Sequence, residues 1–195
     1  MNIVFLHGLN STCTTFNFII DKLQLAENSV TKITYDSHNR VSKILEEVIP
    51  QLPPGQFSIV GHSLGGVIAT LIAEKFPRRV LKLAVISSPL KGSRPASCLM
   101  FIPGHLKILE DLAPLSPVMR HISNLKLSTP TLSLISTGGH FPVMPFFDEP
   151  NDSVVSVSSQ KGLSFGEKWE IPVNHFEMLM DRTALKTLGN FLKIT

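Results

Sequence analysis

The pentapeptide Gly61-His62-Ser63-Leu64-Gly65 lies between the apolar run Phe57 to Val60 and a helix-like stretch from Val67 to Phe76, and it constrains this chain more than any other segment. In a G-x-S-x-G pattern the serine occupies a sharp strand-to-helix turn whose strained backbone projects the hydroxyl from the sheet edge, the arrangement called a nucleophile elbow. Hydrogen in place of a side chain at 61 and 65 lets the strand and the following helix close on each other. Ser63 then sits at a helix N-terminus, where unpaired N–H groups favour developing negative charge. A chain with 12 glycines can produce such a pentapeptide by chance, so its surroundings decide. Ile59-Val60 ends a β-branched run, Leu64, Val67, Ile68, Leu71 and Ile72 follow the spacing of a buried helical face, and Pro77 stops that helix.

Six short apolar or β-branched runs recur along the chain: Asn2 to Leu6, Val30 to Tyr35, Phe57 to Val60, Val80 to Ile86, Thr131 to Ser136 and Lys168 to Val173. Amphipathic segments alternate with them at Thr15 to Gln24, Val41 to Leu52, Ser63 to Phe76, a broken region from Gly104 to Leu125, and Arg182 to Lys193. This alternation predicts an α/β fold with a six-stranded, mostly parallel sheet. Continuous apolar strands such as Leu83-Ala84-Val85-Ile86 call for helices on both faces. The connection across residues 87 to 130 is roughly twice as long as the first three and exceeds what a crossover helix needs, so a small insertion or cap is expected after the fourth strand, at about 91–126. Within it, Cys98-Leu99-Met100-Phe101-Ile102-Pro103 is either an exposed substrate or lipid surface or ordinary core beside the crossover helix. With 195 residues the whole chain, 1–195, reads as one domain.

Composition narrows the function classes. Mean hydropathy is high at +0.21, yet no apolar stretch reaches the ~18 residues of a membrane span. Met1 to Leu6 lacks a basic region and runs directly into the His7-Gly8 turn, which is unlike a signal peptide and makes a cytoplasmic enzyme the expectation. Net charge is only +3 with scattered basic residues, so no nucleic-acid partner is expected. Cys13 and Cys98 read as free thiols. The histidines show no H-x-x-x-H or H-E-x-x-H spacing, so no metal site is expected.

An acyl-transfer serine needs a base, a group that orients the base, and donors aimed at the oxyanion. His175 follows the last strand run and precedes the final helix, the place that the chain order Ser, Asp or Glu, His gives the base; His38, His105, His121 and His140 stay open, and His62 is expected to point away from Ser63. Asp148, Glu149 and Asp152 follow the fifth strand, and Asp152, just before the apolar Val154-Val155, is the candidate acid. Leu6-His7-Gly8-Leu9 ends the first strand in a tight turn, so the backbone N–H groups of Leu9 and Leu64 are the candidate oxyanion donors. Phe141, Val143, Met144, Phe146 and Phe147 are candidates to line an acyl pocket, or are core.

These residues resemble the α/β-hydrolase superfamily, and within it the small bacterial lipases and esterases and the PGAP1-like lipase group. Val4 to Leu9 followed by Phe16-Asn17 is similar to the oxyanion segment of small lidless lipases, and Val60 to Gly66 to their elbow. Ile86-Ser87-Ser88-Pro89-Leu90-Lys91-Gly92-Ser93 resembles a T-P-x-x-G-S segment, with Ser-Ser-Pro where Thr-Pro is usual. Asp111 to Pro117 resembles another shared stretch, and Asp152-Ser153-Val154-Val155 the acid-bearing D-x-V-V. The resemblance implies the triad Ser63, Asp152 and His175, no cofactor, and an ester substrate with an acyl chain.

The reading is a serine hydrolase that cleaves carboxylic esters through an acyl-enzyme. Its partner is a small-molecule or lipid ester, with peripheral contact to a membrane or lipid surface left open. Acyl transfer or thioester hydrolysis on the same scaffold is the alternative, as is a binding protein that has lost its chemistry.

Overall fold

A computed structural model describes residues 2–99, 101, 106–139 and 149–193. The strands are β1 (Asn2–Leu6), β2 (Val30–Ile33), β3 (Phe57–His62), β4 (Val80–Ile86), β5 (Thr131–Ser136) and β6 (Glu167–Ile171). They form one sheet in the order β2-β1-β3-β4-β5-β6, with every pairing parallel. Among the described residues the helices are α1 (Asn17–Lys22), α2 (Val41–Val48), α3 (Leu64–Lys75), α4 (Arg94–Leu99), α5 (Ile108–Leu112), α6 (Pro117–Asn124), α7 (Val157–Gln160) and α8 (Arg182–Leu192).

The period-2 alternation of β1 divides the core. Val4 and Leu6 face a cluster built with Val41, Ile44 and Val48 of α2, most of α3, and Ile108, Leu112, Met119 and Ile122 of α5 and α6. Ile3 and Phe5 face the other side, packing with Phe16, Ile19 of α1 and Ala184, Leu185, Leu188 and Leu192 of α8. Helices thus cover both faces, which is why β3 and β5 are buried at every position and β4 from Leu83 onward: strands covered on both sides have no solvent face to mark.

Several boundaries differ from the sequence expectation. β3 continues through Gly61 and His62, and the first helical segment opens as a 3-10 turn at Cys13–Phe16 and ends at Lys22. The broken region resolves into α5 and α6, and α4 and α7 were not anticipated; both are short and carry no readable periodicity. Between β4 and β5, α5 and α6 belong to the main core. They are anchored to α2, because Asp111 Oδ2 accepts the Val41 N–H at 2.8 Å and Asp111 Oδ1 takes the Arg40 guanidinium at 3.2 Å. Of the expected apolar patch, Cys98 and Phe101 are exposed; Met100, Ile102 and Pro103 lie outside the described residues. Cys13 and Cys98 are both free. Among the described residues no helix is long and apolar enough to cross a membrane.

Candidate active site

Ser63 follows the last residue of β3 and caps α3 with φ 55° and ψ −123°. A non-glycine residue held in that region carries strain of about 1–3 kcal/mol, and the surroundings must enforce it. They do so from both sides. Ser63 N–H donates to the Ile86 carbonyl of β4 at 2.8 Å, and Gly66 N–H returns to the Ser63 carbonyl at 3.0 Å. A Cβ on Gly65 would lie 2.0 Å from the Leu6 carbonyl oxygen, and one on Gly61 2.2 Å from the Gly65 carbonyl oxygen. Only hydrogen fits at either position, so the steric reason for the flanking glycines holds in three dimensions.

Asp152 and His175 meet on the same side of the sheet, from the loops after β5 and β6. Asp152 Oδ2 accepts His175 Nδ1–H at 2.7 Å. The backbone ties the two loops as well, since His175 N–H donates to the Asp152 carbonyl at 3.1 Å. The Asp152 side chain is wholly buried and the His175 ring nearly so. Burial alone would raise the pKa of that carboxyl, but the His175 ring, the Ser136 hydroxyl and the Val155 N–H outweigh it and hold the group below its ordinary value. Asp152 Oδ1 accepts Val155 N–H at 2.7 Å and Val154 N–H at 2.9 Å; Oδ2 also accepts the Ser136 hydroxyl at 2.5 Å. Phe176, largely exposed, stands edge-on to the His175 ring at 5.2 Å.

Ser63, His175, Leu9 and Leu64 line one cavity of about 450 Å³. Its apolar wall comes from Pro89, Pro95, Ala96, Leu109 and Leu112, so the segment between β4 and β5 furnishes most of it; Asn10 and Ser11 add polar groups. No hydrogen bond joins Ser63 Oγ to His175 in this state. Among the described residues the N–H groups of Leu9 and Leu64 also have no acceptor.

The remaining sequence candidates lie elsewhere. His38 is exposed and bonded to Asn10 Oδ1, His121 is exposed beside Glu74 at 2.8 Å, and Glu149 is half-buried. His105, His140, Phe141, Val143, Met144, Phe146, Phe147 and Asp148 are outside the described residues. His62 lines the same cavity, with its ring 4.8 Å from that of His175 and its Nε2–H on the His175 carbonyl at 3.1 Å. Ser136 and Gln160, which also touch Asp152, escaped the sequence reading because nothing in their neighbourhoods distinguishes them from other buried polar residues. Among the described residues no group of three or more His, Cys, Asp or Glu is placed to hold a metal ion.

A family model described as alpha/beta hydrolase fold matches residues 25–111. The chain superposes over its full length on 94% of the lin2722 gene product of Listeria innocua, with a TM-score of 0.68 at 16% identity. The fold is that of the α/β hydrolases. Lipolytic proteins share it: mature lipase BlEst2 of Bacillus licheniformis matches 98% of this chain and 90% of its own, with a TM-score of 0.69 at 15% identity. A structure of the metagenome-derived lipolytic enzymes LipS and LipT matches 98% of this chain and 93% of its own, with a TM-score of 0.68 at 15% identity. In sequence, the mouse sn-1-specific diacylglycerol lipase ABHD11 is 32% identical over 108 residues, covering 49% of this chain and 35% of that protein. The chain therefore matches about a third of the length of this curated relative.

Proposed function

We propose that this chain hydrolyses carboxylic esters with Ser63 as nucleophile, His175 as general base and acid, and Asp152 as the group that orients His175. The observation that carries this reading is the buried Asp152–His175 hydrogen bond at 2.7 Å, made at the wall of the cavity that Ser63 also lines. In this scheme His175 Nε2 takes the Ser63 hydroxyl proton as Oγ bonds to the ester carbonyl carbon. The C–O bond to the alcohol breaks, and the alkoxide leaves with that same proton. Water then gives a proton to His175 and attacks the acyl-enzyme; the acid departs, and the proton returns to Ser63. Asp152 stabilises the imidazolium without taking its proton. Contacts between nucleophile and base are often loose before substrate is bound and tighten in the complex.

Leu9 and Leu64 N–H groups are the oxyanion donors in this reading, because both residues line the cavity and neither N–H is engaged elsewhere among the described residues. The apolar wall at Pro95, Ala96, Leu109 and Leu112 suits an acyl chain, and lipid esters are the favoured class given the lipolytic proteins it resembles. The motif likeness to small bacterial lipases and the PGAP1-like group agrees with that choice.

A fluorophosphonate probe and a panel of p-nitrophenyl esters and acyl-thioesters test the reading. Wild type should be labelled and should turn over the esters, and Ser63→Ala should do neither. Labelling of Ser63→Ala equal to wild type, or turnover confined to thioesters, would overturn it.

A further inference from the structure

Gln160 ends the single-turn helix α7 and is 2% exposed. Burying a primary amide is costly unless its donors and acceptor are all met, and here they are met in one particular way. Oε1 accepts the Ser136 N–H at 2.9 Å and Nε2 donates to the Ser136 carbonyl at 3.0 Å, so the amide pairs with both backbone groups of the last residue of β5 as a neighbouring strand would. That double contact fixes which end is oxygen: the reverse orientation would set NH₂ against N–H and C=O against C=O. The second N–H of Nε2 is thereby left to reach Asp152 Oδ2 at 3.2 Å, a charged acceptor nearer than the Val155 carbonyl oxygen at 3.4 Å.

A second support converges on the same oxygen. The Ser136 hydroxyl has one proton, and the short contact to the charged acceptor, 2.5 Å to Asp152 Oδ2, claims it. Ser136 Oγ can then accept from Ser87 Oγ, 2.7 Å away. Ser87 is fully buried and held at φ 49°, immediately after β4. The α7 turn is itself pinned to the loop after β4, with Ser159 Oγ bonded to the Gly92 carbonyl at 2.5 Å and accepting the Lys91 N–H at 3.2 Å.

We propose that Gln160 is a positioning residue, clamped to the end of β5 so that its remaining N–H, together with the Ser87–Ser136 hydroxyl relay, holds Asp152 Oδ2 in register with His175 Nδ1. The proposal rests on the reading of Ser63, Asp152 and His175 as a catalytic set. Loss of the amide removes one donor from Asp152 Oδ2 and loosens the alignment of the His175 ring, which slows the chemical step without altering how substrate fills the cavity.

The test uses the full chain carrying Gln160→Met, close in volume and unable to hydrogen-bond through an amide. Turnover is expressed per site titrated by a fluorophosphonate, so unfolded protein is not counted. Hydrogen-bond partners that orient a metal-bound histidine are worth about 10- to 100-fold when removed, and a kcat loss in that range is expected here with KM within about twofold. In a Ser63→Ala background, where turnover plays no part, the low-field ¹H resonance of His175 Nδ1–H should be lost or shifted upfield by Gln160→Met. Unchanged kcat with the resonance in place overturns the proposal, whatever happens to Tm. If Gln160→Met does not fold, Ser87→Ala serves: a fall in kcat at constant KM supports the relay, and no change overturns it. Failure of the catalytic reading itself is seen separately, as turnover that survives Ser63→Ala.

Discussion

His62 Nε2 lies 3.1 Å from the carbonyl oxygen of His175 and donates to it, so the residue just before Ser63 secures the loop that carries the imidazole. This contact requires the proton on Nε2 and leaves Nδ1 buried, with no partner among the described residues. Burial, with the nearby His175 ring, pushes the His62 pKa down to about 3. The ring is therefore neutral in the folded protein across the ordinary pH range.

Stability should fall as pH drops from about 6.5 toward 3. In that window the unfolded chain protonates His62 while the folded chain does not, so stability is complete above the unfolded value of 6.5 and is lost as acid is added. The limiting slope is about 1.4 kcal/mol per pH unit for one such group. His7, whose pKa is also lowered by burial, adds in the same direction. Urea unfolding at pH 7.5, 6 and 5 measures the slope, and His62→Gln should make it shallower. Asp152, with its folded pKa below the usual 3.8, acts at lower pH: its contribution is present above 3.8 and is lost as pH falls through the folded value.

Asp152→Asn should cost kcat about 10⁴-fold, as replacement of the triad acid does elsewhere. The reason is local. Asp152 Oδ2 receives donors from Ser136, Gln160 and His175, and an NH₂ in its place faces three donors while forcing His175 into the wrong tautomer. Circular dichroism should show the fold retained. Steady-state kinetics of the variant near wild type would move the acid role to another carboxylate.

Gly65→Ala should destabilise by more than the roughly 1–3 kcal/mol typical of overpacking, because the new methyl meets backbone at 2.0 Å instead of a side chain that could swing aside. Thermal unfolding of the variant against wild type, together with probe labelling of Ser63, reads both the stability loss and the displaced turn.

Ala96→Leu should narrow the apolar wall and cut turnover of longer acyl esters about tenfold relative to the acetate, since discrimination in a hydrophobic pocket is worth roughly 1–3 kcal/mol per methylene. An acyl-length series on p-nitrophenyl esters compares the two profiles. Equal losses at every length would place the acyl chain elsewhere.

Much of the fold was legible in the linear chain because its signals are local. Short apolar runs separated by amphipathic segments announce strands and helices wherever they pair, and the turn at Ser63 carries its glycines at 61 and 65 in the same pentapeptide. Chain order alone put Asp152 and His175 in the loops where they are found. What chain order leaves undetermined is the pairing order β2-β1-β3-β4-β5-β6, the one-turn helix α7, and the company each polar side chain keeps. Gln160 has no motif, since its partners Ser136 and Asp152 arrive from other segments, and the direction of the His62 ring depends on a carbonyl 113 positions away. Sequence determined the elements and the strained turn, whose causes lie within a few neighbouring residues. Only tertiary structure decided which buried hydrogen bonds exist, because their geometry is created when distant loops pack at one sheet edge.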